Sequence, residues 1–137
     1  MKPLKPPVIF LLGPTASGKT DWAIAWQKLF NPIEIISVDS VMVYQGCDIG
    51  SAKPTKAILE KHPHHLVDEI ELDQIFSVAD FYHSTHQLIE DIHNRNNCPL
   101  LVGGSMMYFN AISSHQVLPT FASERVRLIK TRFRSLY

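Results

Sequence analysis

Neither sign of charge is in excess: 13 lysines and arginines face 13 aspartates and glutamates in 137 residues. A neutral balance does not announce a nucleic-acid binder, which usually carries a basic surplus. Cysteine is scarce. Cys47 and Cys98 lie far apart with no Cys-x-x-Cys spacing, so the plain reading is a cytosolic protein with two free thiols rather than a disulfide scaffold. No apolar run approaches the roughly 20 residues that a membrane helix needs. The apolar stretch behind the opening MKPLKPP is too short for a signal peptide and runs into a glycine loop, not a cleavage site. No internal repeat and no low-complexity segment occurs. What is left is a one-domain globular chain, 45% hydrophobic and 19% charged. At this length it can bury about two-thirds of its unfolded surface.

The most informative stretch is 8–20, VIFLLGPTASGKT. Five apolar residues, Val8 to Leu12, run into Gly13, and Gly-x-x-x-x-Gly-Lys-Thr closes at Thr20. A buried strand feeding a glycine-bounded loop that opens a helix is a phosphate-binding arrangement. Gly13 and Gly18 permit close backbone approach. The loop N–H groups are expected to point inward as a nest, and the following helix adds its positive end. Lys19 offers a point charge to the terminal phosphates, and the Thr20 hydroxyl is a candidate ligand for Mg2+. A diphosphate or triphosphate is the ligand this pattern implies.

A helix is expected over about 18–30, with Trp22, Ala25, Trp26 and Leu29 forming an apolar face that reads as core. Asn31-Pro32 stops it. Residues 33–38 are β-branched and read as a second buried strand, completing a βαβ unit with parallel pairing. Ligands of open parallel sheets bind at the carboxyl ends of strands, so Asp39 and Ser40 share a rim with the phosphate loop. The irregular connection 39–55 is long enough to carry function. Within it Asp48 and Lys53 read as a structural loop pair, with a phosphate contact from Lys53 as the alternative. A short helix is expected at 56–61 and a strand near 65–70. His62, His64 and His65 lack a carboxylate or cysteine at ligand spacing and read as structural. Ser77 and Asp80 form a capping box ahead of a strongly periodic helix to about Asn94. Residues 98–102 form a further strand ending in Gly103-Gly104, a second close backbone approach on the same rim. A helix is expected at 105–112. The closing stretch, with Arg125, Arg127, Lys130, Arg132 and Arg134, reads as a basic helix, either a solvated face or a phosphate contact.

Five stretches together resemble one family. GPTASGKT at 13–20, ISVDSVMVYQGCDIGSAKPT at 36–55, HHLVDEI at 64–70, FSVADF at 76–81 and PLLVGGSMMYF at 99–109 are similar, in order and spacing, to tRNA dimethylallyltransferases, also called tRNA isopentenyltransferases. The middle stretch is the specific one. Ser105 replaces the family's usual threonine and keeps the hydroxyl. The resemblance implies an α/β fold: a P-loop NTPase-like parallel sheet flanked by helices, with 1–137 as the prenyl-diphosphate-binding core. That core is incomplete, because the family runs to about twice this length, beyond a single-domain size. The helical tRNA-binding insertion, the C-terminal part and a catalytic arginine from the later half are missing. Negligible activity is therefore expected of this chain alone.

The resemblance further implies an alkyl transfer. Dimethylallyl diphosphate is the co-substrate, held over Gly13, Pro14, Thr15, Ala16, Ser17, Gly18, Lys19 and Thr20, with Mg2+ at Thr20. Asp39 is the general base, and Lys19 and Thr20 assist the leaving diphosphate. Asp39, Ser40, Val41, Met42, Ser105 and Arg127 match tRNA-contacting positions, with the anticodon stem-loop as partner. A cytoplasmic monomer with no membrane association is expected. For Asp39 a turn-capping role competes with the base role, and Arg127 reads equally as one residue of a solvated helix. Three other functions compete: a P-loop kinase of a metabolite or nucleoside, an adenylate isopentenyltransferase, and an inactive nucleotide-binding remnant.

Overall fold

The computed structural model describes residues 8–13, 18–29, 32–47, 53–104 and 107–108, and the backbone of 126–130. Its elements are β1 (Val8–Leu12), α1 (Lys19–Leu29), β2 (Ile33–Val38), α2 (Lys56–Lys61), β3 (His64–His65), α3 (Val78–Asn94), β4 (Cys98–Gly103) and β5 (Val126–Lys130). The five strands form one sheet in the order β3-β2-β4-β1-β5, every neighbouring pair parallel. The βαβ expectation is corrected in one respect. β1 and β2 run parallel but are not paired, because β4 inserts between them.

Near-continuous apolar strands are what a sheet covered on both faces requires. Side chains alternate. Val8, Phe10, Leu12, Ile36, Val38 and Leu101 pack on Phe81, Ile89 and Ile92 of α3. Leu11, Ile33, Ile35, Leu100 and Val102 pack with Ala23 of α1. The molecule is therefore a helix–sheet–helix sandwich. α3 begins in the expected capping box, where Ser77 Oγ accepts from the Asp80 amide (3.1 Å) and Asp80 Oδ2 accepts from the Ser77 amide (2.9 Å). α2 is capped likewise by Thr55.

Three expectations need correction. The apolar face assigned to α1 is rotated: of its four residues Trp26 packs on the core, whereas Ala25 is exposed and Trp22 and Leu29 are 52% and 73% exposed, and Lys19 and Ala23 are buried instead. Lys19 opens the helix facing inward, and the residue one turn later follows it. The strand expected near 65–70 is only His64–His65, because Leu66 and Asp68 take positive φ (62° and 55°) and break the extended run. The closing basic stretch is not a helix over 126–130 but a strand on the edge of β1. Val126 and Ile129 are β-branched, and β1 would otherwise leave a row of backbone groups unpaired. Of the helix expected at 105–112, only Met107 and Tyr108 are described, and both are helical.

The amino ends of the strands are tied by one carboxylate. Glu34 on β2 accepts two hydrogen bonds from the Arg95 guanidinium (2.9 and 2.7 Å) and one from Asn97 Nδ2 (2.9 Å). Its Oε1 also lies 3.0 Å from His65 Nε2. The Arg95 hydrogen bonds, more than burial opposes, pull its pKa down to about 2. A lowered carboxylate pKa adds stability above the unfolded value, near 4.5, and that stability is lost as pH falls towards about 2. Urea unfolding between pH 2 and 6 should show this loss. Glu34→Gln should flatten it and lower stability at pH 6 by about 1 kcal/mol, since the half-exposed Arg95 screens the pair.

Candidate functional site

Three strand ends meet at the carboxyl rim. β1 enters Gly13, β2 delivers Asp39, and β4 ends between them at Gly103. Two strand spacings separate β1 from β2, about 10 Å. The ends are held at their spacing by main chain: Val38 registers with Gly103, and the Gly13 amide donates to Gly103 O (3.3 Å). Gly103 is needed there. A Cβ at this position would fall 2.0 Å from Val38 O, so the close approach expected of this glycine is present. Gly18 takes φ +75°, and its carbonyl accepts from the Trp22 amide as α1 begins.

Lys19 and Asp39 both lie at this rim, near enough for the carboxylate to act on the ammonium. Burial pushes the Lys19 ammonium below its usual pKa, and the Asp39 carboxylate opposes the shift. Thr20 follows Lys19 in the first turn of α1. Asp39 does cap a turn: its Oδ1 accepts from the Val41 and Met42 amides (2.8 and 2.9 Å). Both bonds use one oxygen, so capping leaves Oδ2 for a substrate. Ser40 and Val41 are exposed beside it.

Not every expected residue can be placed here. Pro14–Ser17, Asp48 and Ser105 lie outside the described residues. Arg127 sits on β5, in register with Ile9 rather than with the end of β1, so its backbone is about 10 Å from the rim. Lys53 contacts Tyr44 O (3.0 Å) and the Asp68 carboxylate. The three adjacent histidines engage protein groups. His62 pairs with Gln27, His64 with the His62 carbonyl and His65 with Glu34. Among the described residues no cluster of three or more histidines, cysteines or acids could hold a metal, and none of the described helices is long and apolar enough to cross a membrane.

Sequence reasoning missed a tyrosine brace. Tyr44 Oη accepts from the Phe76 amide (2.9 Å), and Tyr108 Oη donates to the Phe76 carbonyl (3.4 Å). Tyr108 also stacks on Phe81, with ring centroids 4.1 Å apart. Burial first, then the negative charges at Tyr44, Asp39 and Asp80, pushes the Tyr108 phenol above its usual pKa. Tyr44 stands inside the most specific motif, which was the signal available.

The family model described as IPP transferase matches residues 42–135. A tRNA dimethylallyltransferase of Methylobacillus flagellatus is 51% identical over 108 residues, which is 79% of this chain and 34% of the relative. Another, from Alkalilimnicola ehrlichii, is 49% identical over 111 residues, 81% of this chain and 35% of the relative. The crystal structure of a tRNA delta(2)-isopentenylpyrophosphate transferase from Staphylococcus epidermidis superimposes with a TM-score of 0.73 at 44% identity, over 79% of this chain and 35% of that one. The chain thus spans about a third of the length of the curated relatives it matches.

Gly103→Ala should destabilise the fold by about 3 kcal/mol, because Val38 O has nowhere to move without opening the β2–β4 pairing. Urea unfolding measures this directly.

Proposed function

The chain belongs to the IPP transferase family, and on that premise we propose that it forms the diphosphate-binding and proton-accepting core of a tRNA dimethylallyltransferase. The observation that supports this reading is the meeting of three strand ends on one rim, held by the Gly13–Gly103 hydrogen bond and the Val38–Gly103 register, with Asp39 directly after β2 and Lys19 opening α1.

In the proposed reaction, dimethylallyl diphosphate lies with its diphosphate over Gly13–Thr20, Pro14–Ser17 completing the cradle. An exocyclic adenine amine of the anticodon stem-loop attacks the allylic carbon. The new C–N bond forms as the C–O bond to diphosphate breaks. The proton released from the amine goes to Asp39, whose Oδ2 is left open by the turn it caps. Lys19 and the amides at the start of α1 take up charge on the departing diphosphate. A neutral aromatic amine is a weak nucleophile, so alignment matters as much as proton removal. The adenine must leave its stack to reach the rim. We assign exposed Ser40 and Val41, with Asp39 and half-buried Met42, to RNA contact; Ser105 and Arg127 join them on resemblance alone.

Mg2+ fits this arrangement. The Thr20 hydroxyl beside a phosphate cradle is a donor set magnesium accepts, the remainder coming from phosphate oxygens and water. When bound, it would neutralise charge on the diphosphate.

Parallel calorimetric titrations with dimethylallyl diphosphate and ATP test the reading. Dimethylallyl diphosphate should bind more tightly, and tighter ATP binding would favour a kinase and overturn it. Lys19→Ala should weaken dimethylallyl diphosphate by about tenfold or more, the worth of a charge-assisted contact. Asp39→Asn should leave that affinity within about threefold. In a protein carrying the remainder found in the longer relatives, the same substitution should cut turnover by about 10²–10⁴-fold.

A further inference from the structure

The loop that carries Asp39 has no regular secondary structure of its own, so something else must fix it. Past the turn closed by Asp39, its main chain is zipped to residues 68–70. Met42 O accepts from the Asp68 amide (2.9 Å), Val43 O from the Glu69 and Ile70 amides (2.8 and 3.0 Å), and Ile70 O from the Gln45 amide (2.8 Å). One buried side chain spans both halves of this zip. Lys53, its side chain only 4% exposed, donates to Tyr44 O on the loop and pairs with the Asp68 carboxylate opposite. Asp68 holds φ 55°, a left-handed conformation that aspartate adopts more readily than most non-glycine residues.

We propose that Lys53 is a positioning residue for Asp39: by clamping Tyr44 O to Asp68 it holds the 39–45 loop, and with it the Val41 and Met42 amides that orient the Asp39 carboxylate. The proposal deepens the base role given to Asp39 and rests on that reading for its catalytic meaning. A buried ammonium with a carboxylate partner is held tightly, and removal of either partner leaves the other uncompensated. Loss of Lys53 frees Tyr44 O, then the zip, then the two amides on Asp39 Oδ1. Lys53 thereby acts on the proton acceptor and not on the phosphate cradle, which lies beyond β4.

Amide hydrogen exchange on the 137-residue chain tests this without any ligand, so it judges Lys53 even where dimethylallyl diphosphate fails to bind. In Lys53→Met, the Val41, Met42, Gln45 and Ile70 amides should exchange about tenfold faster or more, and the Val41 and Met42 resonances should shift, while Leu100 and Leu101 in β4 keep their protection. Unchanged exchange at Val41 and Met42 overturns the proposal. So does an equal loss across loop and β4 in a variant that remains folded, since that is a global effect. Should Lys53→Met fail to fold, Asp68→Asn decides: faster exchange confined to the same four amides supports the clamp, and no change there overturns it.

Discussion

The close approach of Gly103 to the Val38 carbonyl is the contact on which the rest of the rim depends. β4 stands between the strand that leads into the phosphate loop and the strand that delivers the carboxylate. Its final residue sets how near the other two can come. A side chain there would push β2 outward and widen the gap that Lys19 and Asp39 share. The strand ends are therefore coupled: Gly13 binds Gly103 by its amide, and Gly103 registers with Val38, one residue before Asp39.

Stability and chemistry are placed at opposite ends of the same strands. At the amino ends, Glu34 gathers Arg95, Asn97 and His65, joining β2 to the turn after α3 and to β3. At the carboxyl ends, the charged groups are fewer and differently used. The Lys19 ammonium is held below its usual pKa by burial, with the Asp39 carboxylate opposing. A lysine in that condition gains when an anion arrives. The loop on the far side of Asp39 is rigid for a different reason: its carbonyls are spoken for by residues 68–70 and by Lys53.

Much of this was legible in the residues, and the failures have a common cause. β1, β2 and β4 are apolar runs bounded by glycine, proline or aspartate, and α3 announces itself through Ser77 and Asp80. Those are local signals. The place of Asp39 just after β2 followed from where that strand ends, and the start of α1 at Lys19 from the glycine-bounded loop ahead of it. The face of α1 was only half read, because Trp22, Trp26 and Leu29 follow helical spacing as well as Lys19, Ala23 and Trp26 do, and the burial of Lys19 and Ala23 chooses between the two. β5 was read from its charges as a helix, yet its role is to pair with β1, a partner over a hundred residues earlier in the chain. The zip between 42–45 and 68–70 and the Lys53–Asp68 pair are likewise non-local. No window of sequence contains both sides.

The central claim is that diphosphate cradle and carboxylate form one site. It is tested most directly by following backbone amide resonances while dimethylallyl diphosphate is added to the chain. The account predicts that Gly13 and Gly18–Thr20 shift together with Asp39–Met42 and Gly103–Gly104, along one saturation curve. Shifts confined to 13–20, with Asp39–Met42 unmoved at saturation, would contradict it.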